Sequence, residues 1–133
     1  MRPFLFLCLL IVFCFALTPL QAQRKINTGH FVQTPESVAT DGRYYYIADI
    51  GKELKAGDKD GDGTIWKMDK AGRPYGDSAF VKGLNAPKGA VINNDILFLS
   101  DIDHVLGFDL GTGKRYMILI AGVQAVYSST MWQ

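Results

Sequence analysis

TPESVATDGRYYYIADI, at Thr34–Ile50, returns without a gap as APKGAVINNDILFLSDI at Ala86–Ile102, 52 positions later. In each copy a Pro opens a run of small residues, a polar turn follows (Asp41-Gly42 or Asn93-Asn94), and an aromatic-aliphatic run ends on Asp-Ile. Two β-propensity runs joined by such a turn indicate a β-hairpin. The sequence therefore predicts a repeat protein built on one hairpin used twice.

After the hairpin the copies align again at a shorter offset of 40 residues, with Ile65–Asp69 matching Val105–Asp109. The first copy therefore contains 52 − 40 = 12 extra residues, within Gly51–Gly63. One more apolar segment of the same kind occurs before the first copy and at the end of each copy: Asn27–Val32, Ala79–Leu84 and Ile118–Val123.

Without the insertion, each unit has four short β candidates in about 40 residues, the size of a four-stranded propeller blade. The units span about 34–85 and 86–125 of a domain at 23–133. We predict an all-β partial β-propeller with about two four-stranded antiparallel blades plus the start of a third. A closed propeller needs at least four blades, so we expect a truncated product or fragment.

The first 22 residues predict export. They contain one basic residue, Arg2, and an apolar run, Phe4–Leu17, before small residues that suit cleavage after Ala22, as in a secretory signal peptide. The apolar run is shorter than the roughly 20 residues of a spanning helix, which disfavours a transmembrane anchor. Both cysteines, Cys8 and Cys14, lie in this segment, so we expect a disulfide-free mature chain, periplasmic or extracellular.

The net charge and the aromatic residues indicate which classes of binding partner are favoured. Beyond Ala22 the chain has 13 basic and 13 acidic residues, and this zero formal charge favours neither nucleic acid nor an anionic membrane surface. The run Tyr44–Tyr46 could be a stacking platform for a sugar or nucleic acid. Phe98 takes the place of Tyr46 in the second copy, which favours packing between sheets. Whether the partner is a small molecule or a protein is left open.

Four aspartates recur with the repeat. Asp49 and Asp101 follow the aromatic-aliphatic strand, and Asp69 and Asp109 precede Gly-containing turns. Catalysis is one interpretation. Recurrence in both units favours an architectural role, in which each carboxylate accepts backbone N–H bonds of the next turn.

The insertion contains a candidate calcium loop. Asp58, Asp60 and Asp62 occupy the first, third and fifth places of such a loop, with Gly63 at the sixth and Thr64 at the seventh, where a backbone carbonyl is the usual ligand. Asp69 stands at the twelfth place, but an extended chain would carry it roughly 13 Å away. The candidate ligands are therefore the three carboxylates and the Thr64 carbonyl. The alternative is a solvated Asp/Gly-rich hairpin tip without an ion.

Three short motifs carry a family resemblance. Pro35–Val38, Tyr46–Ile50 and Asp60–Lys67 resemble the opening blades of bacterial exported proteins of the SMP-30/gluconolactonase-like group, related to NHL-type six-bladed propellers. The resemblance implies metal-dependent lactonase or esterase chemistry, with a divalent cation held in the central channel by an early Glu and later Asn or Asp residues. Glu36 is the candidate for the early Glu, although here Pro35 precedes it, whereas the family pattern has a Ser-Pro pair after the Glu.

Two classes of function follow. One is an exported β-propeller fragment without catalytic activity of its own, used for binding or as a scaffold, with a calcium-binding loop. The alternative is a metal-dependent hydrolase of the lactonase or esterase type. Because Glu36 is the one channel ligand that the resemblance places on this chain, we expect no lactonase activity.

Overall fold

The computed structural model describes residues 25–120 and 126–127. Within them the chain forms strands and no helix, which confirms the all-β prediction. The strands are β1 Pro35–Thr40, β2 Tyr45–Asp49, β3 Gly63–Met68, β4 Val81–Leu84, β5 Pro87–Asn93, β6 Ile96–Asp101, β7 His104–Asp109, β8 Arg115–Ile120 and β9 Val126–Tyr127. No helix long and apolar enough to cross a membrane occurs in this part of the chain. The predicted signal peptide, residues 1–22, and residues 121–125 of the second unit lie outside the described residues.

The strands form two antiparallel sheets, each with its strands in sequence order. The first sheet has the order β1-β2-β3-β4 and the second the order β5-β6-β7-β8-β9. Both are meanders, and the chain passes from one to the other between Leu84 and Pro87. The first sheet has the four strands expected of a unit, and the second adds a short fifth strand.

The pairing register repeats as the sequence does. Adding 52 to the residue numbers of β1 and β2, and 40 to those of β3, gives the residues that pair in the same way in β5, β6 and β7. Corresponding pairs are Pro35↔Asp49 with Pro87↔Asp101, Val38↔Ile47 with Ala90↔Leu99, and Tyr45↔Met68 with Leu97↔Phe108. The repeat is therefore a property of backbone pairing as well as of sequence.

Two local expectations need correction. The second hairpin turns at Asn94 and Asp95, with φ of 47° and 61°, one residue beyond the expected Asn93-Asn94, because Asn93 still pairs with Ile96. Positive φ at both central residues is what a two-residue type I′ turn requires. Asn27–Val32 is not a strand, and its Phe31 packs on the ring of Trp66 in β3 instead.

The core lies between the two sheets. Side chains alternate across a strand, so each sheet presents one face to the other, its core face. The core faces carry Ala39, Tyr46, Ala48 and Ile65 on the first sheet and Ala90, Leu97, Leu99, Leu106 and Phe108 on the second. β1 and β5 are the strands that approach most closely across this interface. The Ser37 hydroxyl donates to the Lys88 carbonyl oxygen there.

The opposite face of each sheet is its open face. On the first sheet it includes Val38, Tyr45, Ile47 and Trp66, and on the second it includes Val91, Phe98 and Val105. Residues 25–34 cover part of the open face of the first sheet, where the Phe31 ring lies 5.3 Å from that of Trp66.

Candidate functional site

Glu36 lies on β1 beside a groove on the open face of the first sheet. The groove has a volume of about 430 Å³, and Ile26, Val38, Tyr45 and Ile47 form much of its wall. The Glu36 carboxylate is partly exposed, and its Oε1 lies 3.4 Å from Nζ of Lys88. The predicted channel residue is therefore next to an apolar groove, and its charged neighbour is a cation.

The three carboxylates of the predicted calcium loop each have a local partner. Asp58 Oδ2 lies 3.7 Å from Lys55 Nζ. Asp60 Oδ1 accepts the backbone N–H of Asp62 at 3.3 Å, and Asp62 Oδ2 accepts that of Lys52 at 3.1 Å. The three carboxylates therefore contact three different groups, an ammonium group and two backbone N–H groups.

Thr64, the fourth predicted ligand, lies in β3, where it pairs with Asp49 and Lys82. Asp62 and Thr64 line a common cavity of about 160 Å³ together with Gly51. In the part of the chain that the structure describes, no three His, Cys, Asp or Glu side chains are grouped so that they could hold one metal ion. Calcium binding, which would require the exposed loop to rearrange, stays a prediction.

A side-chain ion pair ties the insertion to the second sheet. Lys59 Nζ donates to Asp103 Oδ2 at 2.9 Å, and the His104 ring nitrogen Nδ1 lies 2.6 Å from Asp103 Oδ1. The Lys59 hydrogen bond, followed by contacts that include His104, lowers the pKa of Asp103 to about 2. The carboxylate thus stays ionised at neutral pH and connects the loop to the turn between β6 and β7.

Asp49 accepts backbone N–H bonds, as its architectural interpretation predicts. Its carboxylate is buried and accepts from Gln33 and Thr34, both at 2.8 Å, and from Gly51 at 3.3 Å. The first two donors precede β1 and were not expected. Asp49 therefore fastens the segment that leads into the first sheet.

Asp101 does the same in the second sheet. It is 4% exposed and accepts from Ala86 N–H at 2.8 Å and from Asn85 N–H at 3.0 and 3.1 Å. Both donors precede β5, the first strand of the unit, whereas the prediction was that Asp101 accepts from the turn that follows it. Asp49 and Asp101 therefore anchor the start of their sheets in the same way.

Asp69 and Asp109 organise the turns that follow them, as predicted. Asp69 Oδ1 accepts from the backbone N–H groups of Ala71 and Arg73, and its Oδ2 accepts from Arg73 Nε at 2.7 Å. Asp109 Oδ1 accepts from the N–H and the hydroxyl of Thr112, both at 2.7 Å. These hydrogen bonds lower the pKa of both carboxyl groups.

Sequence analysis missed Lys67, a buried lysine in β3. Its Nζ donates to the carbonyl oxygen of Leu110, in the turn after β7, at 3.0 Å. Four rings surround the ammonium group, with centroids at 4.7 Å for Tyr44, 5.4 Å for Tyr46, 4.7 Å for Tyr75 and 5.0 Å for Phe80. Burial lowers the Lys67 pKa, while the rings partly replace lost hydration through cation–π attraction.

Comparison of the two units did not point to this lysine, because its equivalent in the second unit is Gly107. The sequence feature that could have predicted its surroundings is the run Tyr44–Tyr46, which lies beside a strand with a lysine at a core position. Tyr46 is 1% exposed, and its ring lies 5.6 Å from that of Phe80. Tyr46 therefore packs between the sheets as predicted.

Comparisons of the chain with protein-family models, with curated proteins and with solved structures find no match.

Proposed function

We propose that this chain is an exported β-repeat module of the β-propeller type, similar to the SMP-30/gluconolactonase-like group, which binds or scaffolds rather than catalyses. Two antiparallel meanders with the same register support the proposal. They also pack through opposite faces, as consecutive blades of a propeller do. The periplasm or the extracellular space as its location is supported by residues 1–22 of the sequence alone.

The observation that supports the non-catalytic proposal is that the recurring aspartates already accept hydrogen bonds from the backbone. Asp49 and Asp101 accept backbone N–H bonds that anchor the start of each sheet, and Asp69 and Asp109 accept those of the turns. A metal ion or a substrate proton would compete with these bonds. At Asp49 and Asp101, whose hydrogen bonds are part-buried or buried, an N–H group left without its acceptor would cost about 1–3 kcal/mol. These two carboxylates therefore serve the fold, and those of Asp69 and Asp109 order exposed turns.

The alternative, a metal-dependent lactonase or esterase, is favoured by one feature, the groove beside Glu36. A cation there would act as a Lewis acid on the substrate carbonyl. Glu36 would supply one oxygen ligand, but the ammonium group of Lys88 lies 3.4 Å from it and would repel a divalent ion. This charge arrangement supports the non-catalytic proposal.

The two candidates are separated by assaying the purified chain against simple five- and six-membered lactones with calcium, manganese or zinc. We expect no cation-dependent turnover above the buffer rate. Turnover that disappears in Glu36→Gln and persists in Glu53→Gln, an exposed glutamate of the insertion, would establish the hydrolase instead.

The proposed module has no nucleic-acid partner, and no membrane partner once residues 1–22 are removed. The balance of 13 basic and 13 acidic residues beyond Ala22 supports both statements, because binding to polyanions relies on excess positive charge. Calcium is the proposed ion, held by the loop that contains Asp58, Asp60 and Asp62. Its millimolar concentration outside cells suits a weak loop of this kind.

A further inference from the structure

The two open faces are apolar and lie on opposite sides of the sheet pair. Val38 on the first sheet and Val91 on the second are each 61% exposed. Ile47 and Phe98, which pair with them across the strands, are half-buried. A β-sheet face of this composition normally lies against another element.

The repeat identifies what fits each open face. Under the offsets of 52 and 40, each open-face residue has an equivalent on the core face of the other sheet. Val38, Ile47 and Trp66 correspond to Ala90, Leu99 and Leu106, and Val91, Phe98 and Val105 correspond to Ala39, Tyr46 and Ile65. The open face of the first sheet is thus equivalent to the core face of the second, and the open face of the second sheet is equivalent to the core face of the first.

We propose that a second copy of this chain covers them, with the open face of the second sheet of one copy against the open face of the first sheet of the next. The junction between copies would repeat the internal junction between the sheets. This inference goes beyond the proposed function, and the lactone assay does not bear on it.

The shape of the open face fits this occupant. Inside the chain β1 and β5 are the strands in closest contact. On the open face of the first sheet, residues 25–34 cover the area near Trp66, whereas the groove of about 430 Å³ lies along β1 beside Val38. The uncovered area is therefore the area that β5 of the preceding copy would occupy.

Charge at the same position is complementary. Glu36 of β1 and Lys88 of β5 are equivalent residues, and inside the chain their charged groups lie 3.4 Å apart. At the junction between copies, Lys88 of one copy would face Glu36 of the next. Negative and positive groups would then alternate around the assembly.

Such a contact uses different patches on the two copies, so it is heterologous, and heterologous contacts form rings when the rotation closes. Each chain contributes two sheets. Two copies would give four sheets and three copies six, both within the range of about four to eight blades seen in closed propellers.

The test is sedimentation velocity on the purified full chain, with one variant for each open face. Val38→Asp damages the open face of the first sheet, and Val91→Asp damages that of the second. Leu54→Asp, in the insertion at a residue that is 74% exposed, is the matched control. We expect the wild type and Leu54→Asp to associate beyond the monomer and each valine variant alone to be monomeric.

Mixing the two valine variants decides the geometry. Each retains the face that the other has lost, so the mixture should form a dimer of doubled mass and nothing larger. A monomeric wild type, valine variants that associate like the wild type, or a mixture that stays monomeric would each overturn the proposal. If circular dichroism shows that an Asp variant is unfolded, Val38→Thr and Val91→Thr keep the β-branched shape. Burying a hydroxyl without a hydrogen-bond partner is unfavourable, so both variants should associate more weakly than the wild type. Association equal to that of the wild type in both would also overturn the proposal.

Discussion

Replacing Asp101 by Asn tests whether the recurring aspartate at the end of β6 holds the second sheet together. The carboxylate is 4% exposed and accepts the N–H groups of Asn85 and Ala86 at 2.8 to 3.1 Å. Asn has nearly the same volume, but it keeps one acceptor oxygen and brings an NH₂ group that would face the donors. Oδ1 accepts both N–H groups, at 3.1 and 2.8 Å, so an amide oxygen there can keep both bonds, but as a neutral acceptor. The NH₂ group then replaces Oδ2 and faces the Asn85 N–H, whose second bond at 3.0 Å is lost.

The expected loss follows from the change of a charged acceptor to a neutral one. Hydrogen bonds to charged groups contribute about 1.5–3 kcal/mol and neutral ones about 0.5–1.5 kcal/mol, and for the two bonds together we take about 2 kcal/mol for Asp101→Asn. A domain of this size loses about 4–8 °C of midpoint per kcal/mol, so the thermal midpoint should fall by about 8–16 °C. Asp49→Asn should cost a similar amount, because Oδ2 of Asp49 accepts from Gln33 and Oδ1 accepts from Thr34, and an amide would leave one of the two N–H groups facing its NH₂ group.

The assay is thermal unfolding of the purified chain followed by circular dichroism near 215 nm, the usual wavelength for β-sheet. Asp77→Asn, at an exposed aspartate outside the strands, is the matched control and should change the free energy of unfolding by less than about 0.5 kcal/mol. If Asp101→Asn unfolds at the same midpoint as Asp77→Asn, the anchoring argument is wrong.

Two further predictions concern ions and pH. For a calcium dissociation constant of about 0.1 mM, 1 mM calcium should stabilise the chain by about 1.4 kcal/mol relative to chelator. Asp60→Asn/Asp62→Asn should abolish the difference in midpoint, and equal wild-type midpoints with calcium and chelator would leave a solvated hairpin tip. The pKa of Tyr46 is raised above its ordinary value of 10.0, first by burial and then by the hydrogen bond to Asp41. Above pH 10 the unfolded chain therefore loses the phenol proton of Tyr46 while the native chain keeps it. The free energy of unfolding should fall as the pH rises. Denaturant titrations at pH 9 to 11 should show a smaller fall in Tyr46→Phe, and an equal fall would contradict the assignment.

Strands and their pairing could be predicted because their signals are local. The Pro that opens each copy, the polar turns and the Asp-Ile endings lie within 17 consecutive residues, and the repeat supplied a second copy of the same pattern. The error at Asn93-Asn94 was one residue, since either neighbouring dipeptide can form a polar turn. Asn27–Val32 failed because its apolar residues pack on Trp66 through Phe31 instead of pairing as a strand.

The candidate site was less accessible to sequence reasoning, because its contacts join residues far apart in the chain. Glu36 lies next to Lys88, 52 residues away, and Lys67 reaches the Leu110 carbonyl oxygen, 43 residues away. Neither contact follows from local spacing. Asp49 was assigned to the correct role, but two of its three donors lie 15 and 16 residues upstream. The calcium loop rests on spacing alone and remains a prediction.

The connection between β2 and β3 shows how much length this fold accepts at one place. Asp49 pairs with Thr64 and Asp101 pairs with His104, so the same ladder position is closed by 64 − 49 − 1 = 14 residues in one unit and by 104 − 101 − 1 = 2 in the other. A sevenfold longer loop costs only about 1.7 kcal/mol of closure entropy. Because Asp49 takes two of its three bonds from residues before β1, these anchors do not depend on the sequence of the loop. The connection after Asp101 is therefore a position at which a foreign peptide could be displayed without disturbing the sheets.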